Sequence, residues 1–365
     1  MKDLLERRII LNHRSERLKN FLVPVLSVVL GLILGAIIML AFGYDPLLGY
    51  SSLIDGAIGS PFYVGETLRQ ATPLILTALG FAVANTAGFF NIGVAGQALF
   101  GWVGSVTIAL MFPDLPKMIL IPFCLIVGAL CGAVWAGIAG VLRAYFNTSE
   151  VIVTIMLNYT ALYISNHMVR NVLTKADDAT PRISENASLR SEFLASITEN
   201  STLHYGLLIA ILMCVVVWIM MHKTTLGYEL RSVGLNPYAS EYAGMSTKRN
   251  IILAMVISGG LAGLGGTMEG LGNFENLFVM GSMPSIGFDG MAVALLGAGN
   301  PFGILVSGLL FGGLKIGGVS MPLSSDVPSE VVDIVIASII FFVGANYLIR
   351  YIMNRVVKVN KGGVN

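Results

Sequence analysis

The chain has 365 residues, 55% hydrophobic and 12% charged, with a net charge of +1 and a mean hydropathy of +0.79. Ordinary soluble domains carry about 25% charged residues, so a water-soluble globular class is excluded; the net charge itself says nothing about nucleic acid, since what matters is where the charges lie, and no nucleic-acid partner is expected. Apolar runs long enough to span a bilayer recur along the chain, the pattern of a polytopic membrane protein.

Met1 to Asn20 holds Lys2, Arg7, Arg8, Arg14, Arg17 and Lys19, which reads as a cytoplasmic basic N-terminal segment, residues 1–20. The apolar run 21–42 is too long for a secretory leader and lacks a small-residue cleavage site, so it is expected to be a retained first transmembrane helix. Residues 44–63 carry Asp-Pro, Gly and Ser-Pro breaks and read as an external loop. Further helices are expected over 66–88, 92–112, 117–142, 150–169, 204–222, 251–271, 284–299, 301–321 and 330–353. Gly128, Gly132, Ala136 and Gly140 recur every four residues and form a close-packing face. Ser149 is placed to cap the helix that follows it. Cys124, Cys131 and Cys214 sit inside apolar runs without metal or disulfide spacing and read as packing residues.

The expected fold is all-α: a polytopic membrane helix bundle of about ten transmembrane helices. Its transmembrane domain covers 21–354, and 355–365 form a cytoplasmic tail. Ten spans put both termini on one side. Of the 22 Lys and Arg, fifteen fall on that side and six on the other, which makes both termini cytoplasmic and 172–203 external.

The chain is organised around Ala78 to Trp102. This stretch is apolar, yet it contains Asn85, Asn91 and Gln97, and Gly88, Gly93 and Gly96 interrupt it. Amides facing hydrocarbon would need partners, so the backbone is expected to break here and line a cavity. Ile92-Gly93-Val-Ala-Gly96-Gln97-Ala98 is echoed by Ile286-Gly287-Phe-Asp289-Gly290-Met-Ala292. With one copy in each half, running in opposite directions across the membrane, the pair reads as inverted internal repeats.

No GxxxxGK[ST] phosphate loop, HExxH or GxSxG motif occurs, so the chain is not expected to be an enzyme and has no ATPase site of its own. Residues 223–250 form a polar cytoplasmic segment. Within it Asn236-Pro237 is a good helix start, Ala239 to Ala243 supply about one and a half turns, and Gly244 ends them. Such a rigid projecting knob suits a partner's groove.

Gly234-Leu-Asn236-Pro237-Tyr-Ala239-Ser240-Glu241-Tyr-Ala243-Gly244 resembles the cytoplasmic coupling segment of bacterial ABC importer permeases that handle branched-chain amino acids, ribose-like sugars and nucleosides. Phe90 to Gln97, Ser149 to Tyr159 and Gly259 to Gly266 are similar to three further signatures of that family. The combination resembles its nucleoside-uptake branch, with Ala95 standing where many relatives would carry an acidic residue. The resemblance implies a type II ABC importer permease in the bacterial inner (plasma) membrane. The partners implied are cytoplasmic ATP-binding subunits holding ATP and Mg, a second permease that is a homologue or a copy, and an extracellular substrate-binding lipoprotein. It implies no cofactor in this chain. A simple-sugar importer with the same machinery and an ion-coupled secondary transporter are the alternative functions.

The residues expected to line the substrate path are Asn85, Asn91, Gln97, Asn158, Glu269 and Asp289. Amides can bond a ribose hydroxyl or a base edge without the desolvation cost of a charge. Each has an alternative role in an interhelical hydrogen bond, and Asp289 in capping a helix. The residues expected to meet the ATPase are Asn236, Pro237, Ala239, Ser240, Glu241, Ala243 and Gly244.

Overall fold

A computed structural model describes residues 2–174, 176–325 and 327–345. Every regular element among them is helical: α1 (Lys2–Ala41), α2 (Pro46–Ile58), α3 (Pro61–Thr86), α4 (Val94–Met111), α5 (Lys117–Phe146), α6 (Glu150–Met168), α7 (Glu192–Ile197), α8 (Gly206–Lys223), α9 (Thr225–Leu235), α10 (Pro237–Tyr242), α11 (Thr247–Met268), α12 (Ile286–Leu296), α13 (Pro301–Ser325) and α14 (Ser329–Gly344). Single π-turns, Val169–Leu173 and Glu269–Asn273, extend α6 and α11.

Among the described residues, seven helical stretches are long and apolar enough to cross a membrane: Leu22–Ala41, Pro61–Thr86, Val94–Met111, Lys117–Phe146, Gly206–Lys223, Thr247–Asn273 and Pro301–Pro322. The other three expected spans correspond to α6, α12 and α14, whose described residues do not add to these seven.

The expected boundary between the basic segment 1–20 and the first span is not a break, because α1 runs through both. Residues 44–63 are not a plain loop. The Asp45 carboxylate accepts from the Leu47 N–H at 2.9 Å, so Asp-Pro starts α2. Ser60 then caps α3, its hydroxyl accepting from the Tyr63 N–H with Pro61 in the first turn. The end of the expected 330–353 helix, beyond Ala345, and the tail 355–365 lie outside the described residues.

The chain divides into two compact units, Met1–Ile54 with Gly318–Asn365, and Asp55–Gly317. In the first, α1 packs on α14, with Gly31 against Ile339 and Gly35 against Val335. The Tyr50 hydroxyl donates to the Leu32 carbonyl within this unit.

In the second unit α3, α4 and α11 form the centre: 83% of the α3 span is buried, against 22% of α5. What α5 does bury is its glycine face. Gly128 and Gly132 lie against Gly263 of α11, and Gly132 also lies against Gly259, backbone on backbone. Gly101 of α4 meets Gly263 and Gly266 meets Ala98, so α4, α5 and α11 approach as closely as backbones allow. The expected close-packing face thus has its partner in the Gly259–Gly266 run.

Candidate functional site

The break between α3 and α4 spans Ala87 to Gly93. Gly88 turns the chain with φ +86° and sits against the Gly234 backbone. Broken backbone leaves unpaired amides, and side chains satisfy them. Asn91 Oδ1 accepts from the Gly93 N–H at 3.0 Å, and Asn158 Oδ1 accepts from the Gly96 N–H at 2.8 Å. Asn158 Nδ2 donates to the Ile92 carbonyl at 3.0 Å. Asn91 and Gln97 bond each other twice, and Asn91 Nδ2 also donates to Ser258 Oγ on α11 at 2.8 Å. Asn91 and Gln97 are fully enclosed, so three of the expected path amides are engaged in holding the break onto α6 and α11. Asn85 is exposed in the last turn of α3.

The two Ile-Gly motif copies touch. Each opens a helix, α4 or α12, and Gly287 rests on Ala95. Gly290 rests on Thr77, whose hydroxyl also reaches the Ile286 carbonyl at 3.2 Å. Ala95 is therefore a packing position, where any larger side chain would separate the copies.

Asp289, in the first turn of α12, is buried and pairs with Lys315 of α13, which also donates to Ser285 Oγ. A charge pair enclosed this way needs its hydrogen bonds complete. The carboxylate serves Lys315 rather than capping the helix.

A cavity of about 520 Å³ lies beyond the π-turn that ends α11. Arg69 and Gln70 of α3, Trp102 of α4, Glu269 and Asn273 of the π-turn, and Phe274, Phe278 and residues 279–286 line it. Of the expected path residues only Glu269 is on its wall. Trp102 stacks on Phe274 with centroids 5.2 Å apart, and Phe278 meets both edge-on. The indole N–H is satisfied by the Asn276 carbonyl. The sequence assigns no site role to these aromatics, to Arg69 or to Lys315. A lysine inside an apolar span is itself a signal that a buried acid awaits it.

The polar segment 176–205 folds over this end of the unit. It pairs backbone to backbone with residues 271–279: Thr180 N–H to Leu277 O, Ile183 N–H to Glu275 O, Leu189 N–H to Leu271 O, and Val279 N–H to Asp178 O. Arg190 donates to the Gly272 and Asn273 carbonyls and pairs with Glu275 at 3.1 Å. Burial lowers the Arg190 pKa, against the pull of Glu275. Glu66 accepts from the Thr202 N–H and hydroxyl and pairs with Arg69 at 2.8 Å.

His204, two residues before the α8 span, is 1% exposed. Its Nδ1 accepts from the Gly206 N–H, so the proton sits on Nε2, facing Asn273 Oδ1 at 3.1 Å. Burial pushes its pKa down to about 4; the Asn273 bond opposes this, while Arg69 and Arg190 add to it. The folded protein therefore keeps His204 neutral where the unfolded chain, titrating at about 6.5, takes up a proton. Stability from this group is complete above pH 6.5 and is lost as pH falls toward 4. At pH 5 the expected loss is about 2 kcal/mol. Thermal unfolding of the purified chain at pH 7 and pH 5 measures it, and His204→Gln is expected to flatten the difference. An equal pH dependence in that variant would contradict the assignment.

At the opposite end of α11, Asn236 caps α10 by accepting from the Ala239 N–H at 3.1 Å, and Pro237 occupies the first turn. Gly244, at φ +82°, ends the segment. Ser240 is buried and donates to the Asn236 carbonyl. Pro237, Ala239, Glu241 and Ala243 are exposed, and Leu235, Tyr238 and Tyr242 present large apolar surfaces, Tyr242 at 96% exposure. Solvent would ordinarily not be offered three such side chains on one short knob.

Comparison with known proteins gives the class. Residues 63–344 match the family described as branched-chain amino acid transport system / permease component. The chain belongs to this permease family, and it is a multi-pass membrane protein. It is 51% identical, over 96% of its own length and 99% of the relative's, to the guanosine ABC transporter permease protein NupP of Bacillus subtilis. It is 49% identical, over 93% and 94%, to the nucleoside ABC transporter permease protein NupB of Lactococcus lactis. The glucose ABC transporter permease protein TsgB13 of Haloferax volcanii is 32% identical over 90% of this chain and 88% of its own. The same Bacillus and Lactococcus strains supply more distant matches, NupQ at 27% and NupC at 28%. No solved structure matches.

Proposed function

We propose that the chain is the membrane-spanning permease subunit of an ABC importer for nucleosides, with ATP hydrolysis on separate subunits. The identity of about half the residues to NupP and NupB, over nearly the full length of each chain, carries this reading. ATP and Mg are bound by cytoplasmic ATPase subunits, and this chain holds no cofactor. An extracellular lipoprotein delivers the substrate. The second permease is a homologue, as favoured by the paired names NupP with NupQ and NupB with NupC.

The bundle has ten spans in this reading, with α6, α12 and α14 completing the set in the company of longer helices. Both termini are cytoplasmic, which puts the cavity and segment 176–205 on the outer side and α10 on the inner. The two touching Ile-Gly copies are taken as the centre of an inverted repeat. Substrate enters at Glu269. Asn91, Gln97 and Asn158 hold the break beneath it, and Asp289 with Lys315 fixes α12. Asn236 to Gly244 meet the ATPase.

Deleting the gene and restoring it on a plasmid tests the function. Uptake of labelled guanosine, adenosine and uridine is expected to fall in the deletion strain and to return with the plasmid, while glucose and ribose uptake is unchanged. Loss of sugar uptake with nucleoside uptake intact would favour the reading that TsgB13 represents.

A further inference from the structure

We infer that Glu269 is the acceptor that reads the ribose hydroxyls of a nucleoside whose base lies against Phe274 and Phe278. The inference rests on the nucleoside reading above and adds the group that recognises the sugar.

Glu269 is 4% exposed, lines the cavity, and is locked in place. Because His204 must donate from Nε2, Asn273 presents Oδ1 to it and turns Nδ2 toward Glu269 Oε2, at 2.8 Å. The other carboxylate oxygen, Oε1, has no partner among the described residues. The cations that face Glu269 are already committed: Arg69 pairs with Glu66 and Lys315 with Asp289. Oε1 is the carboxylate oxygen left open to the cavity, so a ligand donor entering there finds an acceptor already held in place. Arg69 adds a buried Nε–H, also without a partner, on the same wall.

The aromatic side is equally specific. Trp102 is 2% exposed and serves as backing, while Phe274 in front of it is 45% exposed. Phe274 follows Glu269 by one π-turn, closed by its N–H to the Glu269 carbonyl at 2.9 Å. Phe274 and Glu269 line one cavity, so a flat ring stacked on Phe274 has its attached sugar in the space that Glu269 also borders. A base edge with two parallel N–H donors would engage both carboxylate oxygens, as a fork does. Oε2 already accepts from Asn273, which leaves Oε1 as the oxygen turned to a ribose hydroxyl.

The test compares transport of guanosine with 2′,3′-dideoxyguanosine through the intact importer, each rate divided by the binding protein's own affinity for that ligand. The wild-type chain is expected to favour the ribonucleoside by at least about tenfold. Glu269→Met removes the acceptor and should bring the ratio within about twofold of unity. Glu269→Gln keeps an amide that can meet a hydroxyl and should fall between, which supplies the answer if the Met variant does not reach the membrane. Phe274→Leu should slow both ligands and keep the ratio. A ratio unchanged in Glu269→Met and Glu269→Gln, or none in the wild type, overturns the inference. So does a change in guanosine-to-inosine preference with the ribose ratio intact, which would place the base edge at Glu269. Absence of any nucleoside transport by the wild type would instead remove the function on which the inference stands.

Discussion

Ala239→Arg is expected to abolish uptake while leaving the chain folded and in the membrane. Ala239 is exposed on α10, so the larger side chain meets nothing in its own chain. Its neighbours Leu235, Tyr238 and Tyr242 form an apolar knob that is stable only because Asn236 and Pro237 fix its start and Gly244 its end. Burying a cation in the middle of an apolar contact costs several-fold more than an exposed substitution, and aromatic anchors at such centres carry most of the binding energy. Uptake should fall more than about tenfold, and the ATPase should no longer co-purify. Thermal unfolding of the variant should match the parent. Co-purification of the ATPase with undiminished uptake would show that α10 meets something else.

Gly132→Ala is expected to cost about 3 kcal/mol, enough to remove the chain from the membrane at growth temperature. A methyl at this position would lie against the Gly259 carbonyl and the Gly263 backbone, and no rotamer change relieves it. The helices would have to move apart, opening the seam that Gly128, Gly259 and Gly263 share. Gly137, on another face of the same helix, is the control. A methyl there meets only Val256 Cγ2 at 3.4 Å. Gly137→Ala should be neutral or slightly stabilising, since alanine favours the helix by about 1 kcal/mol. Equal melting temperatures for the two variants would mean that α5 and α11 do not pack through this seam.

These two sites differ in how far the sequence announces them. Capping is local chemistry: Ser149, and Asn236 before Pro237, cap helices in the structure as their spacing predicts. Asp45-Pro46 carries the same chemistry, but beside the glycines of 44–63 and Ser60-Pro61 it reads as a loop. The glycine periodicity of α5 predicts a close contact, while its partner, more than a hundred residues on, is fixed only by folding. Polar side chains in apolar runs are visible as anomalies, but their direction is not. Asn91 and Gln97 turn inward on each other and on Ser258, 167 residues from Asn91, because the break beside them leaves amides that must be bonded. Asp289 on α12 finds Lys315 on α13, and Trp102 on α4 finds Phe274 after the π-turn that ends α11, through tertiary packing that no local pattern encodes.

Reconstitution tests the proposed function most directly. The chain would be assembled in proteoliposomes with its second permease and ATPase subunits, and supplied outside with the binding protein and labelled guanosine. Accumulation that requires internal ATP and Mg, and that unlabelled uridine or adenosine suppresses while glucose does not, is the expected result. Accumulation driven by an ion gradient without ATP, or suppressed by glucose alone, would contradict it.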